Sequence, residues 1–279
     1  GIRDVAVTGV QTCALPIYAS GEIASRIESV GVTKARMALL PMAMLGIVAG
    51  GFIGLGAMYY VVVASDASLG FAAQRVLGGL VFSLGLILVV IAGAELFTGN
   101  NLLVMAWADQ RITTLELLRN WLVVYLANAV GAAGLALIVY LSGHAEMNGG
   151  AIGQQYLKIA MAKTSLPFAE AFFRGVLCNL LVCLAVWLVM AGRSVTDKVL
   201  AVLFPISAFV AAGFEHSVAN MYLIPMGMLL GPPPGPAAAL GWSGLAANLV
   251  PVTLGNIAGG SVLVAMVYFL IYRRGKYHW

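Results

Sequence analysis

"GFEHSVANMYLIPMG" (residues 213–227) lies inside an apolar run long enough to cross a bilayer, yet it places Glu215, His216 and Asn220 within six positions. An ionisable side chain at membrane depth costs at least roughly 2.5–3.5 kcal/mol on insertion scales, so residues of this kind point to function by default. A second stretch, "GAELFTGN" (93–100), carries Gly93, Glu95 and Asn100 at the same G-x-E-x-x-x-x-N spacing as Gly213, Glu215 and Asn220. The apolar segment after each stretch also repeats: Asn120, Asn128 and Gly131 match Asn248, Asn256 and Gly259 as N-x7-N-x2-G. Two matches in the same order predict a duplicated fold.

The composition says where that fold sits. Hydrophobic residues make up 61% of the chain and charged residues 9%, against about a quarter charged in soluble domains. This predicts an integral membrane protein with spans near 37–64, 76–107, 118–142, 169–191, 199–229 and 248–272. Six spans in two matching halves give three per half, and an odd number makes the second half enter from the opposite side. The expected fold is therefore all-α, with six transmembrane helices in an inverted 3+3 repeat. The second and fifth spans exceed the roughly 20 residues that cross a bilayer and carry Gly and polar residues at mid-length, so each is expected to break into half-helices. Freed backbone must be buried in protein or line a wet cavity. Interrupted helices in inverted repeats are typical of transporters, with the pathway at the repeat interface; a pair of kinked structural helices is the alternative.

The remaining segments set the domain boundaries. Residues 1–18 include "VTGVQTCALPI" (7–17), which looks like a translated sequencing-adapter oligonucleotide, and are expected to be an adapter-derived artefact. Residues 19–36 form an N-terminal segment, 37–272 the channel domain and 273–279 a tail. Lys and Arg gather on cytoplasmic flanks. Arg26, Lys34, Arg36, Arg111, Arg119, Arg193, Lys198, Arg273, Arg274 and Lys276 fall on one side, against Arg75, Lys158, Lys163 and Arg174 on the other. Ten against four puts both termini in the cytoplasm of a multi-pass inner-membrane protein. The net charge of +4 forms no basic tract, so no nucleic-acid partner is expected. Cys13, Cys178 and Cys183 have no ligand spacing and read as packing residues.

Glu95 and Glu215 are repeat mates and are expected to fix the broken backbone by hydrogen bonds to freed N–H groups. Asn100 and Asn220 complete that structural polar set. His216 has Leu96 at the equivalent position, and this asymmetry argues against a purely architectural role. An imidazole can relay a proton or donate a hydrogen bond to an anion. His144 falls in a loop and His278 in the tail, so no metal site is expected. No HExxH or GxSxG occurs, and neither an enzyme nor a cofactor is expected.

At "AELFTGN", "NLLVCLAVW", "FEHSVANMYLIPMG" and "VTLGNIAGG" the chain resembles the formate/nitrite transporter family from about residue 30 onward. The resemblance implies an aquaporin-like six-helix protomer, a homopentamer in which each protomer has its own pore, and transport of small monovalent anions. Formate is favoured, with nitrite, hydrosulfide, acetate or lactate as alternatives. It also implies His216 as the central pore histidine, Thr98 as the threonine facing it, and Asn179 and Asn256 as a polar pore pair. Lys163 matches a vestibule lysine. Leu86, Phe82 and Leu96 match the cytoplasmic-side constriction, and Phe209 the periplasmic one. "TGNN" (98–101) departs from the run found in some formate channels. The rival from another class is a neutral-solute pore, which calls for paired Asn-Pro-Ala motifs that neither break carries.

Overall fold

Polar first turns start several of the helices and glycines end them. Thr113 accepts a hydrogen bond from Glu116 N, and Ser194 from Asp197 N, each in a reciprocal capping box that satisfies otherwise orphaned N–H groups. The computed structural model describes residues 17–231 and 240–273. Most of the segment read as an artefact (1–16, with Cys13), residues 232–239 of the Pro-rich loop, and 274–279 with His278 lie outside the described residues.

The helices run in the order α1 (Ser20–Ala35), α2 (Leu39–Ala64), α3 (Phe71–Phe82), α4 (Leu84–Ala92), α5 (Val104–Ala108) and α6 (Thr114–Leu141), then α7 (Ala151–Thr164), α8 (Phe168–Ala191), α9 (Val195–Ala212), α10 (Ser217–Leu230), α11 (Trp242–Ile257) and α12 (Val267–Tyr272). Among the described residues six spans are long and apolar enough to cross a membrane: α2, α3 with α4, α6, α8, α9, and the run from α11 through α12. α3, α6, α9 and α11 begin four to six residues before the expected positions; in α6 and α9 the capped, polar first turn carries no hydropathy signal. The second and fifth expected spans are broken, at Gly93 and Gly213. The chain after the first break is a 3-10 turn (Gly99–Leu103) and the short α5; after the second it is the 14-residue α10.

Two helices were not expected. α1 precedes the first span and α7, inside a stretch read as polar loop, precedes the fourth, so each half contains a short helix and three spans. Both are amphipathic and too polar for a span criterion. α1 is held down by Glu28, fully buried, which pairs with Arg273 at 2.8 Å and Arg111 at 3.8 Å. Burial pushes the Glu28 carboxyl up against the pull of Arg273. Tyr18, read as part of the artefact, donates its N–H to Ala191 O and lies between Arg26 and Arg193 at 4.0 and 4.3 Å. The last span widens into a π-helix over Ala258–Met266.

The repeated glycines set helix spacing. α2 packs on α6, and α8 on α11. A Cβ at Gly131 would run into the Ile47 carbonyl, and one at Gly259, its repeat mate, into the Val176 carbonyl, so the last position of N-x7-N-x2-G is a backbone-to-backbone contact. Gly131→Ala and Gly259→Ala should each destabilise by about 1–3 kcal/mol and lower the apparent melting temperature in detergent. Gly134→Ala, where a Cβ meets open space, should leave it unchanged or raise it.

Candidate functional site

Each break begins with a glycine in the left-handed region, Gly93 at φ +80° and Gly213 at φ +77°, which a side chain would strain. The chain then runs extended, and its amides leave the helical ladder. Asn128 takes up the first break: its Oδ1 accepts from Phe97 N at 2.9 Å and its Nδ2 donates to Gly46 O and Glu95 O at 2.7 and 2.9 Å. Asn256 does the same at the second, accepting from Ser217 N at 2.9 Å and donating to Gly175 O and Glu215 O at 2.8 and 3.0 Å. Glu95 N and Glu215 N are taken by Leu45 O and Arg174 O.

The two carboxylates therefore do something other than expected. They do not receive freed N–H groups, which the asparagines already satisfy. Glu95 pairs with Lys34 at 2.9 Å and accepts from Asn100 at 2.7 Å; Glu215 pairs with Lys163 at 2.8 Å and accepts from Asn220 at 2.6 Å. Asn100 and Asn220 donate onward to Asn120 and Asn248, which donate to the carbonyls of Lys34 and Lys163. Each half thus closes a Lys-Glu-Asn-Asn ring that ties a short amphipathic helix to a break. From the sequence Lys34 reads only as a topology charge. The signal that could have found it is its place five residues before the first span, as Lys163 stands five residues before the fourth.

A cavity of about 200 Å³ includes Lys34, Glu95, Asn100, Leu86, Val89 and Leu96 in its lining, and a second of about 230 Å³ includes Lys163, Glu215, Asn220, Phe82, Phe209 and His216. Phe82 thus stands in the Lys163 cavity, edge-on to Phe209 with centroids 5.6 Å apart. It does not join Leu86 and Leu96 as expected, because one helical turn carries it about 6 Å along the axis. Phe209 is in turn stacked on the His216 ring, centroids 5.9 Å apart.

His216 caps α10: its Nδ1 accepts from Ala219 N at 3.1 Å. With Nδ1 an acceptor, the neutral ring carries its proton on Nε2, which lies 2.9 Å from Thr98 Oγ1. Thr98 is fully buried, lines neither cavity, and joins the first break to the second. Asn179 and Asn256, expected as a polar pore pair, are also fully buried and line neither cavity. Asn179 Nδ2 lies within hydrogen-bond reach of Thr98 O, Asn101 Oδ1 and Asn256 O. Both amides brace backbone behind the Thr98–His216 contact; Asn179 Oδ1 alone of their side-chain atoms has no partner.

A family model described as formate/nitrite transporter matches residues 21–270. The chain belongs to the formate/nitrite transporter family. It is 42% identical to formate channel FocA of Escherichia coli (strain K12) over 265 residues, 90% of this chain and 93% of that one. Of solved structures, it resembles a pentameric formate channel with formate bound (TM-score 0.76, 38% identity, 84% of this chain and 98% of that chain) and an FNT family ion channel (TM-score 0.81, 29% identity, 90% and 98%). Both breaks and both Lys-Glu-Asn-Asn rings fall inside the stretch that matches the formate/nitrite transporter model.

The rings yield a stability prediction. Lys163→Met strands the Glu215 carboxylate in a site where it is 4% exposed and should cost about 3–5 kcal/mol. The double variant Lys163→Met/Glu215→Gln leaves no unpaired charge and should recover most of that loss. Thermal unfolding of the two proteins in detergent measures the difference.

Proposed function

We propose that the protein is a formate channel, with each protomer carrying a small monovalent anion between its two cavities past the Thr98–His216 pair. The observation that carries this reading is the position of His216: one ring nitrogen holds the half-helix in place, and the other lies at the junction of the two halves. The names of the relatives and the bound formate of one solved neighbour support the choice of formate.

Between the cavities stand Leu86 and Leu96 on one side and Phe209 on the other, all buried. A bare anion pays heavily to enter such a wall, and its neutral acid far less. In this mechanism positive potential in the Lys163 cavity and at the N-terminal end of α10 draws the anion in. A proton from solvent taken up at Nδ1 releases the Ala219 cap and makes the ring an imidazolium, which donates its Nε2–H to the anion; the anion crosses as the neutral acid and the ring is left neutral. That release costs about 1 kcal/mol, which the charge of the arriving anion offsets.

The assembly follows the pentameric neighbour: five copies, one pore each. The protein lies in the inner membrane with both termini in the cytoplasm. Arg26 and Arg193 meet on Tyr18, Arg36 and Arg111 meet beside α1, and Arg273 joins them through Glu28, so the basic flank forms one end of the bundle.

His216→Asn keeps an acceptor for Ala219 N but takes no proton, whereas His216→Phe loses both. Formate uptake into proteoliposomes should lose its wild-type pH profile in both variants, with only His216→Phe also less stable, by about 1 kcal/mol. An unchanged pH profile in His216→Asn contradicts the relay.

A further inference from the structure

The two cavities are built from repeat mates, yet their charges differ. In the first, Lys34 is committed twice, to Glu95 at 2.9 Å and to Asn100 Oδ1 at 3.1 Å. In the second, among the described residues, Lys163 donates only to Glu215, and the equivalent Asn220 Oδ1 is buried with no partner. Each Lys–Glu pair cancels its own charge. The imbalance comes from Arg75, which lines the second cavity. Counting back from the two breaks, its mate 120 residues on is Val195.

Arg75 is half-buried and seated on the second break. Its Nε donates to Ala211 O at 2.8 Å, at the C-terminal end of α9, and its Nη2 rests against the Cα of Gly213, where a Cβ would displace it. At Gly93 nothing approaches the same position. A guanidinium has five N–H donors; among the described residues only the one on Nε has a protein acceptor and no carboxylate pairs with Arg75. The other arginine of this cavity, Arg174, is also half-buried but is paired with Glu170 at 3.0 Å.

We propose that Arg75 is a specificity-determining residue that makes the Lys163 cavity an anion-concentrating vestibule, so that the channel takes up anion more readily from that side than from the Lys34 side. This rests on the channel reading above. A cleft with low-dielectric walls and one uncancelled charge raises the local concentration of its counter-ion, and salt screens the effect. A role confined to capping α9 would use Nε alone and would change stability, with no preference between the two sides.

The test is initial formate uptake against formate concentration in vesicles of the two orientations, for the unaltered protein, Arg75→Gln and Arg75→Lys. Gln still reaches Ala211 O with an N–H but carries no charge; Lys keeps the charge. Arg75→Gln should raise the KM about threefold or more on the Lys163 side, leave it unchanged on the Lys34 side, and flatten its dependence on salt, with maximal flux retained. Arg75→Lys should stay near the unaltered KM. A KM for Arg75→Gln equal to that of the unaltered protein on the Lys163 side overturns the proposal, as does an equal rise for both variants or on both sides. Vesicles of the unaltered protein that admit no formate overturn the channel reading, and this inference with it.

Discussion

Everything in this fold depends on how two interrupted helices satisfy their backbone inside hydrocarbon. Each unsatisfied amide there costs several kcal/mol, so a break survives only where something answers its N–H and C=O groups. Asn128 and Asn256 do this with three hydrogen bonds each, from the spans that follow the breaks. Their close approach requires helices in backbone contact, which Gly131 and Gly259 permit one turn further on. The motif N-x7-N-x2-G is thus one device: its second Asn binds the break, its Gly brings the helix near enough, and its first Asn closes the Lys-Glu-Asn-Asn ring.

On this symmetrical frame the chemistry is asymmetrical. Leu96 and His216 occupy equivalent places after the breaks, as do Val89 and Phe209 before them, by the 120-residue offset between the halves. The lining of the Lys34 cavity holds aliphatic side chains and no aromatic ring, whereas that of the Lys163 cavity includes Tyr60, Phe82, Phe209 and Phe214, the His216 imidazole and the Arg75 guanidinium, drawn from both halves. A duplicated scaffold supplies two cavities, one beside each break. What distinguishes them is the side chains that line them.

The frame was legible in the sequence because it is encoded by repetition and hydropathy, two signals that survive in one chain. The six spans, the breaks at Gly93 and Gly213, and the inverted halves all follow from them. The short helices α1 and α7 were hidden because their polar faces give no membrane signal and their partners are far away in sequence. The roles within the site were harder still. Glu95 and Glu215 were read as backbone anchors because an acid at a helix break commonly is one; that Asn128 and Asn256 had already taken those groups is a fact of packing. Phe82 was placed with Leu86 by likeness, and a single helical turn moved it across the barrier. Nothing in "EHSVAN" says that His216 uses one nitrogen as a cap, since His is an uncommon N-cap beside Ser, Thr, Asp and Asn.

The proposed mechanism requires the two cavities to form one path for a small weak acid and its anion and not a general solute pore. The direct measurement is stopped-flow light scattering of proteoliposomes holding the purified protein, challenged in turn with formate and with glycerol at equal osmolarity. The account predicts rapid formate entry above that of empty liposomes, with glycerol excluded. Glycerol entry without formate entry would contradict it.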